Sequence, residues 1–321
     1  MHKLTVLVTG LTLLLQALPA MAIATQQSKP KTFAQWCQER KSVPAATKLT
    51  IYLLLEKAKT ENCKQADAKL NSLQRLEILD DTEISDLRPI SSLNNLNELG
   101  LGAPDTLTKI SDLKPLSRLT NLTILSLHSN RITDIKPLSS LTNLDILFLD
   151  GGDGIRDLNP LASLTKLTTL SLFSNRITDI KPITGLKNLT NLDISGGRID
   201  IKLLAGLTKL ESLTLQNQGI SDLKPLAGLN KLINLYLENN QISDLKPLSR
   251  LTELQNLKLS NNKISDLKPL ANLAKLEWLN LSNNQISDLK PLTGLNIFQT
   301  LDLRNNKITN KVCPFNNRCE F

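Results

Sequence analysis

Few side chains in this chain are suited to chemistry. Of 321 residues only His2 and His128 are histidines, and the cysteines number four. His2 lies in a segment that reads as an export signal, which leaves His128. One histidine, with the cysteines paired, makes no histidine-based metal cluster and no Cys–His pair, and no phosphate-binding loop is present. His128 with a serine and an aspartate would form a nucleophilic triad; as a single surface histidine it does no chemistry, and the second reading is adopted. Asp150, Asp193, Glu238 and Asp302 fall at positions expected to share one face of a sheet. Glycosidases use paired carboxylates, but scattered acids on a sheet serve solubility. The expectation is a protein that is not an enzyme, with no cofactor and no metal.

The elements that position these residues repeat every 22 residues. LQNLKLSNNKISDLKPLANLAK begins at Leu254 and LEWLNLSNNQISDLKPLTGLNI at Leu276. The isoleucine of the template marks each repeat at Ile84, Ile110, Ile132, Ile155, Ile177, Ile199, Ile220, Ile242, Ile264, Ile286 and Ile308. By subtraction, the gaps are 26, 22, 23, 22, 22, 21, 22, 22, 22 and 22. The later repeats are therefore regular. The earlier ones carry insertions, the largest near Gly102-Ala103-Pro104-Asp105, and one deletion at Ile199–Leu203, where the proline is lost. A chain of this kind is a solenoid, so function belongs to its repeated surface and not to one cleft.

Within each repeat L-x-L alternates with period two, as in Leu125-Ser-Leu127 and Leu257-Lys-Leu259, which suits a strand buried on one face. One strand per repeat stacks in parallel at about 4.8 Å, so eleven strands span roughly 50 Å. Asn130, Asn175, Asn240, Asn262, Asn284 and Asn306 lie where the chain turns inward and can pair backbone groups as an amide ladder. Thr82, Thr108, Gly197, Gln218 and Asp153 replace them elsewhere. The return segment Ser-Asp-Leu-Lys-Pro-Leu suits a short 3₁₀ turn. Proline fixes φ, and Asp222, Asp244, Asp266 or Asp288 caps the turn from upstream. Calcium ligation by that aspartate column is the other reading. The lysines two residues on, Lys224, Lys246, Lys268 and Lys290, argue against it, since calcium cages are built from oxygens.

The leucines, the asparagine, the Asp-Leu-x-Pro-Leu motif and the period together resemble the bacterial leucine-rich repeats of the internalin type, from roughly Leu73 to Asn310. The resulting expectation is an α/β solenoid. Its parallel β-sheet lies on the concave face of a shallow arc, its 3₁₀ segments lie on the convex face, and a helical cap precedes it.

Residues 1–24 read as a secretory signal. His2 and Lys3 precede the apolar run Leu4 to Leu18, with cleavage after Ala22 or Ala24; an uncleaved anchor is the alternative. No other apolar run has the length of a spanning helix, and neither a lipid-accepting cysteine nor a wall-sorting tail is seen. A secreted or periplasmic protein without a membrane span after signal removal is expected. Residues 25–71 read as the N-terminal cap, 72–310 as the repeats and 311–321 as the C-terminal cap. Thr32-Phe-Ala-Gln35 has capping-box spacing, Pro44 starts a helix over Ala45 to Ala58, and Asn62 starts another through Leu70. A buried strand over Ile51–Leu55 is the alternative. Such a cap is similar to those of exported cyanobacterial leucine-rich-repeat proteins. Cys37 and Cys63 precede the solenoid and Cys313 and Cys319 follow it; since a rigid solenoid separates its ends, the expected pairs are Cys37–Cys63 and Cys313–Cys319. The C-terminal loop would cover the last open strand edge.

The formal charge is +8. Thr25 to Arg75 holds ten basic and four acidic residues, a surplus of six, while residues 76–321 hold 27 and 26. Nucleic acid is therefore not an expected partner. Positions before, between and after the L-x-L leucines point outward. Phe148, Phe173, Tyr236 and Trp278 occupy such positions, with Ile124, Ile146 and His128, whereas Phe298 aligns with the core Leu254. Exposed apolar clusters of this kind mark binding surfaces, although cross-strand packing also uses aromatic and β-branched residues. The expected partner is a protein, on a site of Ile124, His128, Ile146, Phe148, Phe173, Tyr236 and Trp278. A glycan is the alternative, favoured by Asn234, Asn256 and Asn280 beside Tyr236 and Trp278.

Overall fold

A computed structural model describes residues 30–79, 83–103, 108–129, 131–150, 154–173, 177–295, 299–310, 312–314 and 319–321, with Asp150 and Phe173 described in their backbone alone. The proposed signal segment lies outside these residues, as do Thr82, Asn130, Asp153, Asn175 and Phe298. Residues 31–321 form one compact unit. Among the described residues no helix is long and apolar enough to cross a membrane.

Three helices open this unit: α1 (Phe33–Gln38), α2 (Ala45–Ala58) and α3 (Cys63–Asn71). The Thr32 hydroxyl accepts from the Gln35 N–H and the Gln35 side chain accepts from the Thr32 N–H, a complete capping box. Pro44 leads into α2, and Lys59, at φ 53°, ends it in the left-handed conformation. The Asn62 carboxamide accepts from the N–H groups of Lys64 and Gln65 at the start of α3. The strand alternative over Ile51–Leu55 is overturned. Thr47, Thr50, Ile51, Leu54, Leu55 and Ala58 are the buried residues of α2, a spacing that makes one stripe of a helix. The Cys37–Cys63 disulfide ties α1 to α3.

Twelve strands follow, in sequential order and parallel throughout, in one open sheet. They are β1 (Arg75–Ile78), β2 (Glu98–Leu101), β3 (Ile124–His128), β4 (Ile146–Asp150), β5 (Thr169–Phe173) and β6 (Asn191–Ser195). The shorter ones are β7 (Ser212–Thr214), β8 (Asn234–Tyr236), β9 (Asn256–Lys258), β10 (Trp278–Asn280), β11 (Thr300–Asp302) and β12 (Cys319–Glu320). The first leucines stand in register, Leu125 with Leu147 and Leu147 with Leu170, and are buried. Fully burying each such side chain contributes about 1.5–3 kcal/mol. The register also carries every outward position into a continuous row, which is what makes a surface site possible. Eleven strands come from the repeats. The twelfth comes from the C-terminal loop closed by Cys313–Cys319, and it covers the edge of β11 as a two-residue strand.

The return segments form 3₁₀ turns that begin at Lys-Pro, for instance Lys224–Leu226 and Lys246–Leu248. Asp222 and Asp244 each accept from the lysine N–H two residues on, at 2.9 Å, the cap expected from sequence. At the turn after each late strand, Asn262 donates to the carbonyls of Leu237, Leu259 and Ser260 at 3.0–3.2 Å and accepts from Ile242 N–H at 3.0 Å. Asn240, Asn284 and Asn306 do the same in their own repeats. Gln218 reaches the same place with its longer amide, donating to Ile194 O and accepting from Ile199 N–H. The asparagine just before each of these, Asn239, Asn261, Asn283 and Asn305, takes a φ of 56–60°. The sequence reading missed that second role, although asparagine tolerates the left-handed region better than most residues.

The cap joins the solenoid through a small polar network. Thr47 and Thr50, both fully buried, donate to the Asp86 carboxylate and the Asp86 carbonyl at 2.5 and 2.7 Å. Arg88 donates to both Asp86 oxygens and to Thr47. Burial pushes the Asp86 carboxyl up, but hydrogen bonds from Arg88 and Thr47 outweigh it and hold the group below the usual carboxylate range.

Candidate binding face

Three rows of outward positions cross the face of the sheet that the 3₁₀ turns do not cover. The row before the first leucine carries Ile124, Ile146, Thr169, Asn191, Ser212, Asn234, Asn256 and Trp278 in register. The middle row carries Ser126, Phe148, Ser171, Asp193, Thr214, Tyr236 and Lys258. The third carries His128, beside Asp150 in register, and Phe173 beside Ser195.

Phe148 is 39% exposed. Its neighbours in register are Ser126 on one side and Ser171 on the other. Cross-strand packing would need large partners there, and two serines leave the ring standing clear. Ile124 and Ile146 lie side by side, half-buried, at the start of the same strands. These three residues are brought together as the sequence predicts. The backbone places Phe173 two residues beyond Ser171 on β5, diagonal to Phe148.

His128 does more than sit on the surface. Its Nε2 lies 3.1 Å from Ser126 Oγ, and both belong to β3. The hydroxyl–imidazole contact has the reach that nucleophilic activation requires. The His128 carbonyl accepts from the Thr108 N–H at 2.8 Å.

The acidic residues separate. Asp193 is half-buried; burial pushes its carboxyl up, and the Ser195 hydroxyl, at 2.8 Å, partly offsets that. Asp302 does not face the solvent as the sequence suggests. It is 3% exposed, because Arg304 folds over it with bonds of 2.9 and 2.7 Å from Nε and a terminal guanidinium nitrogen. Burial raises the Asp302 carboxyl, and these bonds more than reverse the shift. Among the described residues no cluster of three or more His, Cys, Asp or Glu could hold a metal ion.

Toward the C-terminal end, Trp278 is 38% exposed and Tyr236 half-buried, both on the face as predicted. Lys258 lies between them, its Nζ 4.9 Å from the Tyr236 ring centroid and 4.7 Å from that of Trp278. The candidate site read from sequence does not include Lys258. The pattern Tyr236, Lys258, Trp278 at spacings of 22 and 20 was visible, but its geometry depends on stacking across three strands.

Comparisons with known proteins follow this geometry. The family description Leucine Rich repeats (2 copies) matches residues 120–163, 165–206 and 230–272, and Leucine Rich Repeat matches residues 275–295. No curated protein sequence matches the chain. An internalin (inlF) from Listeria monocytogenes str. 4b F2365 is 28% identical, with 89% of this chain and 95% of that chain covered, at a TM-score of 0.68. An internalin C2 (inlC2) from the same strain is 33% identical, with 71% of this chain and 90% of that chain covered, at a TM-score of 0.50. Repeat length, parallel sheet, 3₁₀ return segments and these likenesses agree: the chain belongs to the bacterial leucine-rich repeat proteins of the internalin type.

Proposed function

We propose that this protein works outside the cytoplasm as a rigid binding surface for a protein partner, on the concave face of its sheet. The observation that carries this reading is Phe148, exposed between two serines next to the Ile124–Ile146 pair. A patch of that kind gains by being covered, and interface anchors are characteristically aromatic. Phe173 is assigned to the same site by its backbone place on β5, and His128 with Ser126 supplies a polar rim. Tyr236 and Trp278 form a second contact region further along the arc. Two cysteine pairs joined as disulfides fit an oxidising compartment and accord with the signal read at residues 1–24. The proposed boundaries are a cap through residue 71, repeats over 72–310 and a C-terminal cap over 311–321. The role needs binding and no reaction.

Affinity capture from envelope and cell-surface extracts, with Phe148→Ala plus Phe173→Ala as the variant, tests the reading. Each truncation is expected to weaken capture by at least about 2 kcal/mol while the thermal transition stays in place. Lys246→Ala plus Lys268→Ala, on the 3₁₀ side, should leave capture intact. Melting of the aromatic variant would make the rings structural and sink the claim. A glycan is the second reading, favoured by Asn256, which donates to Asn234 at 2.7 Å beside the exposed Trp278. Capture that survives loss of Phe148 and Phe173 but not Trp278→Ala would favour it.

A further inference from the structure

We propose that Tyr236, Lys258 and Trp278 form a subsite for a carboxylate, and that its occupant is an acidic side chain of the protein partner. The inference rests on the protein-binding reading above and names a chemistry that the Phe148 patch lacks. Lys258 rises from the middle row of β9 between two aromatic rings. Ring faces attract the ammonium and restrict a side chain that otherwise sweeps through many rotamers. A cation held in place loses less freedom when it meets an anion. Among the described residues, no carboxylate lies within ion-pair distance of Lys258. Burial, and to a lesser degree Glu238 two residues on, raises the Tyr236 hydroxyl, and Glu238 does not pair with the lysine.

A residue with a second donor stands on the neighbouring strand. Asn280 is in register with Lys258 on β10. Its Oδ1 accepts from both the Ser282 N–H at 3.0 Å and the Ser282 hydroxyl at 2.8 Å, which fixes the orientation of the amide. Its Nδ2 is the donor end of the same amide. An ammonium and an amide carried in register on adjacent strands offer one carboxylate two kinds of donor. The same stacking argues against a neutral sugar: the lysine already lies over a face of each ring that a pyranose would use.

The test uses the full chain and reads Trp278 emission, with Trp278→Phe as the blank that leaves only Trp36. The probes are acetylated, amidated tetraglutamate, its tetraglutamine twin, and trigalacturonate as a carboxylate carried on sugar. Tetraglutamate is expected to change the emission and to bind at least about threefold more tightly than tetraglutamine at low ionic strength. That preference should fade in high salt and vanish in Lys258→Gln. Equal responses to the two peptides, no response to either, or a preference that persists in Lys258→Gln would overturn the proposal. So would a response to trigalacturonate without one to tetraglutamate, which would make the subsite one for acidic sugar. Phe148→Ala should leave the glutamate response unchanged. Failure here thus leaves the apolar patch standing, and failure of partner capture through Phe148 leaves this result standing.

Discussion

The repeats from β7 onward and those before it solve one problem by different means. After β8 to β11 a left-handed asparagine is followed by an inward asparagine whose amide satisfies three carbonyls and one N–H, and after β7 Asn217 is followed by Gln218 in that place. The strand is cut to three residues, and every turn is a copy of the last. In the early repeats the strands run to four or five residues. Ser129 donates to the carbonyls of both Thr108 and Ile110. Gly154, in the 23-residue interval, approaches its neighbour so closely that a Cβ would lie 2.3 Å from Ile132 O. The lesson is that regularity secures the backbone, whereas irregularity frees strand length and surface for side chains. The exposed Phe148 lies in the irregular half.

Three outcomes would break or sharpen this contrast. The largest effect is expected at the core. Leu257→Ala in β9 opens a cavity between regular neighbours and should cost about 2–5 kcal/mol in denaturant unfolding. Lys258→Ala, one residue on, should cost much less, about 0.5–1 kcal/mol for the aromatic contacts it loses. Equal losses would mean that the two faces of the strand are wrongly assigned.

Next comes the turn. Asn262→Ala leaves buried carbonyls and an N–H without partners and should cost about 1–3 kcal/mol. Ser129→Ala removes a single hydroxyl that donates to two carbonyls, and it should cost less. Amide hydrogen exchange provides the local check: faster exchange at Ile242 N–H is expected in the first variant. A larger loss at Ser129 would reverse the comparison and put the greater dependence in the early repeats.

The smallest effect is a pH dependence at the cap junction. The folded Asp86 carboxyl lies below its unfolded value, so its stabilisation is fully present above the unfolded value and is lost as pH falls through the folded one. Asp193 has the opposite sign. Its folded value is raised, so its stabilisation is present at low pH and is lost as pH rises through the carboxylate range. Asp86→Asn should therefore flatten the acid-side loss of cap protection, measured by exchange at α2, while Asp193→Asn should slightly raise stability near neutral pH. No change in the acid limb for Asp86→Asn would remove the junction from the account.

Much of the cap was legible because its signals are local. Thr32 to Gln35, Pro44 and Asn62 act within one turn of their own positions, so composition and spacing suffice. The disulfide pairing was legible for a topological reason: a solenoid separates its ends. The covering of the last edge by the C-terminal loop was legible too, but its form as a strand was not. Cys319–Glu320 becomes a strand only because β11 presents an open edge next to it.

Sequence alone determined the repeat, the strand phase, the asparagine ladder and the side of the sheet on which Phe148, Tyr236 and Trp278 emerge. Each follows from a period that cannot shift by one residue without turning leucines outward. Tertiary structure decided what those side chains meet. The serines beside Phe148, Thr47 and Thr50 on Asp86, and Lys258 between two rings all join residues 20 to 39 positions apart in the chain. The repeat fixes which row a residue occupies. Only the stacking of strands and the docking of the cap bring particular neighbours within a few ångströms, and local pattern carries no term for that distance.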